Sequence, residues 1–424
     1  MAANANTVAS TPCSLSERFG QVRQRTLAIC DPLSTEDYVV QSMPDASPIK
    51  WHLAHTTWFF EQFILKPWLP GYASPNPRYE YLFNSYYQGA GPMHLRAERG
   101  LITRPTVADV LLYRTHVEEH LHFLLEHNAD AALGDLVTLG LNHEQQHQEL
   151  MLTDLKHALS RNPLLPAYRE LRRPTGAAST PLRFATCDGG IHEIGLPADA
   201  GQRGFCFDNE TPRHRVLLQP FALANRLISN EEYRQFIHDR GYQRPELWLS
   251  DGWAAVTAEH WQRPLYWCED LDSEFTLGGV RALDRAAPVC HVSFYEADAF
   301  ARWAQARLPT EAEWEVTAAT TACHGNFYES DALHPQVATQ EPGIAQLFGD
   351  VWEWTASPYV GYPGYRTLPG TLGEYNGKFM CSQWVLRGGS CVTPADHIRA
   401  TYRNFFYPHM RWQFSGIRLA RDGL

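Results

Sequence analysis

The stretch LVTLGLNHEQQHQELMLTDLKH, residues 136–157, decides the fold. Leu136, Leu139, His143, Gln146, His147 and Leu150 recur at three- and four-residue intervals, so they share one face of an α-helix. A helix with such a stripe turns it toward a core, and this face is expected to point into a helical bundle. His143 and His147 stand at i and i+4, roughly 6 Å apart at Cβ, the spacing two imidazoles need to share one metal. A buried imidazole needs a partner, and both a metal and a hydrogen bond in the core supply one.

The sequence on either side supplies the rest of the bundle. In SPIKWHLAHTTWFFEQFIL (47–65), Ser47-Pro48 offers an N-cap and an N1 proline for a helix over about 48–65, which Lys66-Pro67 should stop. Thr106 with Asp109 opens a second helix, VADVLLYRTHVEEHLHFLLEH, with Val110, Val117, Leu121 and Leu124 at helical spacing. A third runs from about Asp135 to Ser160 and another lies near 14–30, so four helices fit an antiparallel bundle. The loop YEYLFNSYYQGAGPMHLRAERGLITRP (79–105) is too long for a simple connector, which marks it as functional.

The predicted organisation is α+β in two domains. Residues 1–165 form the helical bundle with the metal site, 166–181 a linker rich in Pro, Arg and small residues, and 182–424 a domain of short β-rich runs, glycine turns and Trp-centred clusters. No fixed-period repeat occurs, which disfavours solenoids and propellers. The chain of 424 residues is 44% hydrophobic and 20% charged, which excludes a disordered polymer. Its net charge of −11 is spread along both halves, so no basic face announces nucleic acid. No apolar run is long enough for a membrane span, and the opening residues lack a secretory signal. Nine Cys with no CxxC argue against a disulfide scaffold or a Cys-type zinc ribbon; a reducing, cytoplasmic setting is expected.

The segment 143–147 also fits HExxH, the zinc metalloprotease signature, with Glu144 as general base. The longer form of that signature fails, because Leu150 replaces its glycine and Thr153 its third histidine. Upstream, His52 and His55 each offer a third ligand, and spacing alone does not choose between them. Three neutral imidazoles leave positions open for substrate and O2 on a non-haem iron(II); zinc accepts the same donors. His116 and His120, beside Glu118 and Glu119, read as a solvated helix face.

Taken in order, SPIKWHLAHTTWFFE (47–61), NHEQQHQELMLTDLKH (142–157), SFYEADAFARWAQARLPTEAEWE (293–315), LFGDVWEWTASPY (347–359), LRGGS (386–390) and RNFFYPHMRWQFSGIRLA (403–420) resemble one family. It is the ergothioneine-biosynthetic sulfoxide synthases, which join a DinB-like helical bundle to a formylglycine-generating-enzyme-like, C-type-lectin-related domain. The resemblance covers nearly the whole chain. It implies iron(II) on His55, His143 and His147, with His52 beside them, and an O2-dependent reaction. That reaction joins a thiol sulfur to C2 of the imidazole of hercynine, Nα-trimethylhistidine, as a sulfoxide.

The same resemblance puts Gln146 against the substrate imidazole, Asn404 and Phe405 near the trimethylammonium group, and Arg96 and Arg99 on the thiol's carboxylate. Members that use γ-glutamylcysteine carry an acid and an arginine where Phe406 and Met410 stand here. Burying charges without partners is costly, so the expected thiol is free cysteine, with γ-glutamylcysteine the alternative. NSYY (84–87) resembles the branch that takes a proton-donating phenol from the first domain, making Tyr86 and Tyr87 the catalytic candidates. Other members place that phenol in the loop between WEW and LRGGS. Trp352, Trp354, Arg387 and Arg418 are expected to be scaffold. Formylglycine generation itself is not expected, because no Cys follows Cys391. A DinB-type metal-dependent thiol transferase, an HExxH zinc hydrolase and a lectin-like binding module are the competing readings.

Overall fold

The computed structural model describes residues 13–171, 180–202, 204–338 and 343–423. The amino-terminal stretch 1–12 and half of the expected linker, 172–179, lie outside the described residues. The first part is built on four long helices, α1 (Leu15–Cys30), α2 (Ile49–Phe60), α3 (Val107–His127) and α4 (Ala131–Ser160). Reciprocal side-chain caps start two of them. Ser14 accepts from the Glu17 N–H while Glu17 accepts from the Ser14 N–H, and Thr106 and Asp109 do the same at α3.

Three helix ends differ from the sequence reading. Helix α4 begins at Ala131 rather than near Asp135, because the Asp130 side chain accepts from the Ala132 N–H and caps it there. Pro48, not Ser47, occupies the N-cap of α2. Ser47 is drawn off to other partners, its N–H donating to Asp154 and its hydroxyl accepting from Arg99. At the other end Lys66-Pro67 does not stop the helix at once; a π-helical turn over Glu61–Leu65 leads into a last turn, Lys66–Trp68. The wider turn ahead of Pro67 gives the ring room.

Helices α2 and α4 pack closely because Gly140 has no side chain. A Cβ there would lie 2.5 Å from Phe60 Cε1 and 3.1 Å from Phe59 Cε1. Phe19, Trp58, Phe60, Val117, Leu121 and Val137 fill the core around this contact.

The second part carries short strands: β1 (Phe184–Cys187), β2 (Gly190–Ile194), β3 (His214–Leu218), β4 (Phe221–Ala224), β5 (Ser273–Thr276), β6 (Gly279–Ala282), β7 (Trp352–Pro358), β8 (Trp384–Arg387), β9 (Asn404–Phe406), β10 (Ser415–Gly416) and β11 (Ala420–Asp422). Its largest sheet has the order β10-β7-β8-β9, parallel between β10 and β7 and antiparallel elsewhere, so β9 is an edge. A three-stranded sheet, β1-β4-β11, and two hairpin-like pairs complete it. The architecture is therefore α+β, helical first and mixed afterwards. A second core gathers Phe236, Phe300, Trp314, Trp352 and Trp354. Arg387 pairs with Glu315 at 2.7 Å and Arg418 with Glu353 at 2.8 Å, all four buried, which makes both arginines part of the scaffold. Glu149 of α4 joins the two parts, accepting from Trp352 Nε1, Ser390 Oγ and Thr393 Oγ1 at 2.6, 2.9 and 2.8 Å.

Candidate functional site

His55 on α2 and His143 and His147 on α4 turn inward together. One ring nitrogen from each lies within 4.8 Å of the others, and all three residues are buried. The nearest pair, His55 Nε2 and His143 Nε2, are 3.2 Å apart. Three imidazole nitrogens bound at right angles to one ion would stand about 3 Å apart.

The partners of the outer nitrogens of His55 and His147 fix which of their atoms face inward, while His143 Nδ1 is buried with no partner among the described residues. His55 Nδ1 lies 2.6 Å from the Phe83 carbonyl, which only accepts, so that nitrogen carries the proton and Nε2 keeps its lone pair. His52 Nε2 donates to Asp154 Oδ2 at 3.1 Å, leaving His52 Nδ1 to accept from His147 Nδ1 at 2.8 Å. His147 Nε2 is then the lone pair that faces the cluster. His52 thus turns both its nitrogens away from the cluster and holds His147 from behind, an arrangement common around metal-bound imidazoles.

Burial holds the cluster uncharged. Loss of solvent, and then the neighbouring His143, keep His55 well below its usual pKa; His147 is lowered the same way, and His143 is pushed down to about 4. Converging lone pairs repel unless a proton or a cation lies among them, and His143 Nε2, 3.2 Å from His55 Nε2, is the one nitrogen of the three whose outer partner does not decide between the two. Neutral nitrogen donors with no thiolate or carboxylate suit iron(II), zinc or copper, so the residues fit an iron centre without selecting it uniquely.

Glu144 has no part in this centre. Its carboxylate accepts from Thr26 Oγ1 at 2.6 Å, Arg114 Nη2 at 2.8 Å and Arg23 Nη1 at 3.0 Å. Burial alone would raise its pKa, but Arg23 and Arg114 prevail and hold it down at about 2. A carboxylate locked between two guanidinium groups cannot serve as a general base, so the HExxH hydrolase expectation is corrected.

A cavity of about 150 Å³ lies between the bundle and the second part. Tyr86, Arg96, Gln146, Asn404, Phe405, Phe406 and Met410 all line it, gathered from a loop, a helix and the β9 edge. Arg96 Nη1 sits 3.3 Å from Tyr86 Oη. The Phe405 ring stacks on Tyr359 with centroids 4.1 Å apart.

The three histidines do not line this cavity, and two further expected site residues, Arg99 and Tyr87, also lie outside it. Arg99 is buried, donating to Ser47 Oγ at 2.9 Å and Ser85 Oγ at 2.8 Å, and burial brings its pKa down to about 9. Its guanidinium lies 3.4 Å over Trp51, which also stacks on His55 at 4.5 Å. Tyr87 packs its ring against Trp58 and Phe63 and lines a second, larger cavity that also reaches His143.

Two tyrosines were not singled out from the sequence. Tyr375, in the loop between WEW and LRGGS, borders both cavities, with its ring 6.5 Å from His143 and 6.3 Å from Tyr86. Its hydroxyl donates to Gln146 Oε1 at 3.3 Å, and burial raises its pKa so that it stays a phenol. Tyr402 Oη accepts from Gln146 Nε2 at 2.7 Å. The sequence held a hint of Tyr375 in its position within that loop; nothing local marked Tyr402. His116 and His120 are half-buried, both with their rings against Tyr72. Among the described residues no helix is long and apolar enough to cross a membrane.

Known proteins bear on this geometry. Residues 18–151 match the DinB superfamily, and 182–341 with 335–423 match the Sulfatase-modifying factor enzyme 1-like domain. A hercynine oxygenase from Mycolicibacterium thermoresistibile is 32% identical over 444 residues, covering 96% of this chain and 94% of that protein. One from Mycolicibacterium smegmatis is 30% identical over 441 residues, covering 96% and 99%. Ergothioneine biosynthesis protein 1 of Schizosaccharomyces pombe is 29% identical over 238 residues, covering 51% of this chain and 28% of its own.

Proposed function

The chain belongs to the hercynine oxygenase family, an oxygen-dependent oxidoreductase, and on that premise we propose an iron(II) enzyme that joins the sulfur of cysteine to C2 of hercynine's imidazole. The reaction balances with O2 as sole oxidant: C2–H and S–H are lost, C–S forms, one oxygen becomes the sulfoxide and the other leaves as water. The observation that carries this reading is the convergence of one ring nitrogen each from His55, His143 and His147, with Gln146 beside them on α4 lining a cavity closed by the second domain. Iron(II) held there would supply open coordination positions for the two reactants and O2, and so the proximity the reaction needs.

The chain's own residues do the rest. Gln146 Oε1 meets a substrate N–H. The trimethylammonium group cannot donate a conventional hydrogen bond, so it rests against the Phe405 ring and the Asn404 carbonyl. Arg96 reaches the carboxylate of the thiol, while Arg99 works at one remove, pinning Ser47, Ser85 and Trp51 behind the ligands. Phe406 and Met410 offer no charge to a glutamyl end, which supports cysteine over γ-glutamylcysteine. Tyr86, Tyr87 and Tyr375 are the phenols near enough to deliver a proton that steers the outcome from thiol dioxygenation to sulfoxide formation.

Anaerobic loading with iron followed by O2 uptake with hercynine and cysteine tests the reading. Absence of uptake by the iron-loaded protein overturns it, and a clear preference for γ-glutamylcysteine overturns the choice of thiol. At least one of Tyr86→Phe, Tyr87→Phe and Tyr375→Phe should lower the sulfoxide yield and raise cysteine sulfinate; an unchanged product ratio in all three removes the phenol from the mechanism.

A further inference from the structure

Gln146 ends a buried chain of polar groups that crosses from the bundle to the second domain, and each hydrogen bond in the chain has a definite direction. The chain begins at the Thr138 main-chain carbonyl, which can only accept, so Asn142 Nδ2, 2.9 Å away, donates to it. Asn142 Oδ1 is thereby turned toward His397, whose Nδ1 lies 3.0 Å off and carries the ring proton. Burial keeps His397 well below its usual pKa, so the ring has one proton and Nε2 is an acceptor. Tyr402 Oη, 3.0 Å from that Nε2, donates to it and accepts from Gln146 Nε2 at 2.7 Å. The amide nitrogen of Gln146 is thus committed to Tyr402, and Oε1 is left facing the Tyr375 hydroxyl at 3.3 Å. A reversed amide would set Oε1 against a phenol oxygen whose proton is already engaged, and would leave both oxygens without a donor.

We propose that Asn142, His397 and Tyr402 are positioning residues that fix the polarity of Gln146, so that the site accepts an imidazole only with an N–H toward Oε1. The ring's other nitrogen is then the unprotonated one, free to act as a ligand. The inference rests on the functional reading above, since hercynine supplies the ring that Gln146 would meet. Asn142 and Gln146 belong to α4 whereas His397 and Tyr402 come from the segment before β9, so the amide is oriented only when the two domains are docked.

The test compares anaerobic binding of hercynine and its two ring-N-methylated isomers to the iron-loaded wild type, Tyr402→Phe and His397→Leu. A site built to accept a substrate N–H discriminates strongly against a ligand that lacks it. The wild type should therefore bind both isomers at least about tenfold more weakly than hercynine: neither keeps a ring N–H, and in one of them the methyl group also stands on the nitrogen that would be the ligand. In each variant hercynine should weaken about tenfold while the isomer that keeps its ligand nitrogen and carries methyl toward Gln146 does not, so their ratio falls to within about twofold. The KM for cysteine should stay unchanged, and the double variant should cost no more than either single one. Discrimination retained in both variants overturns the proposal.

A second readout needs no substrate. In protein labelled with 15N-histidine and loaded with zinc to keep the resonances sharp, His397 should carry its proton on Nδ1; a proton on Nε2 overturns the proposal. A wild type that does not bind hercynine sinks the functional reading, while the direction of the chain is still decided by the His397 tautomer.

Discussion

Replacing Glu144 by Gln separates two histories for the HEQQH segment. The carboxylate is fully buried and accepts from Arg23, Arg114 and Thr26, while a second acid on those guanidinium groups, Glu118, is partly exposed. Its pKa drops from 4.5 to about 2 on folding, so the charged form contributes roughly 3 kcal/mol of stability, at about 1.4 kcal/mol for each pKa unit. Breaking a buried pair from one side costs roughly 3–5 kcal/mol, which agrees. Because the folded pKa is the lower one, this stability is complete above pH 4.5 and is lost as pH falls toward 2. Urea unfolding at pH 7 should show Glu144→Gln less stable by roughly 3 kcal/mol, with a melting point lower by about 6–12 °C. The gap should close as the medium is acidified through that window. Turnover of the folded variant should stay within a few-fold of wild type. A variant that keeps its stability but loses turnover would show that Glu144 acts in the chemistry and refute this account.

The other predictions concern packing, ligands and selectivity. Gly140→Ala should destabilise by about 1–3 kcal/mol despite roughly 1 kcal/mol of gained helix propensity, because its methyl group meets Phe60; thermal unfolding reads the loss. The same variant should weaken iron binding, measured by competition with a chelator, since it moves α2 and therefore His55 away from α4. Asp154→Asn should shift the proton on His52 and loosen His147, lowering iron affinity by about 10–100-fold with the fold intact. Phe406→Asp together with Met410→Arg should raise kcat/KM for γ-glutamylcysteine relative to cysteine by about tenfold or more.

The legible parts of the site were those written into one helix or one loop. His143 and His147 are four residues apart, so their shared face follows from helical pitch alone. Arg96, Asn404 and Phe405 could be placed only through resemblance, and the cavity gathers them from separate elements. The fate of Glu144 was invisible locally: the HExxH pattern is the same whether the acid faces a metal or two arginines, and those arginines come from α1 and α3. Tyr402 meets Gln146 across 256 positions of chain, through a docking that no periodicity encodes. Helix ends were misjudged where a neighbour outside the helix competed for the cap, as Asp154 and Arg99 do for Ser47.

The three imidazoles sit on two helices of the bundle, whereas Asn404, Phe405 and Phe406 occupy a strand hydrogen-bonded on one side alone. That arrangement lets affinity for the metal and taste in substrates drift independently during evolution. A border strand has a single neighbour to satisfy, so its side chains can be exchanged with little disturbance to the sheet. Lineages with different low-molecular-weight thiols could thus retune the same catalyst by rewriting a few positions around 404–410 while the helices stay as they are.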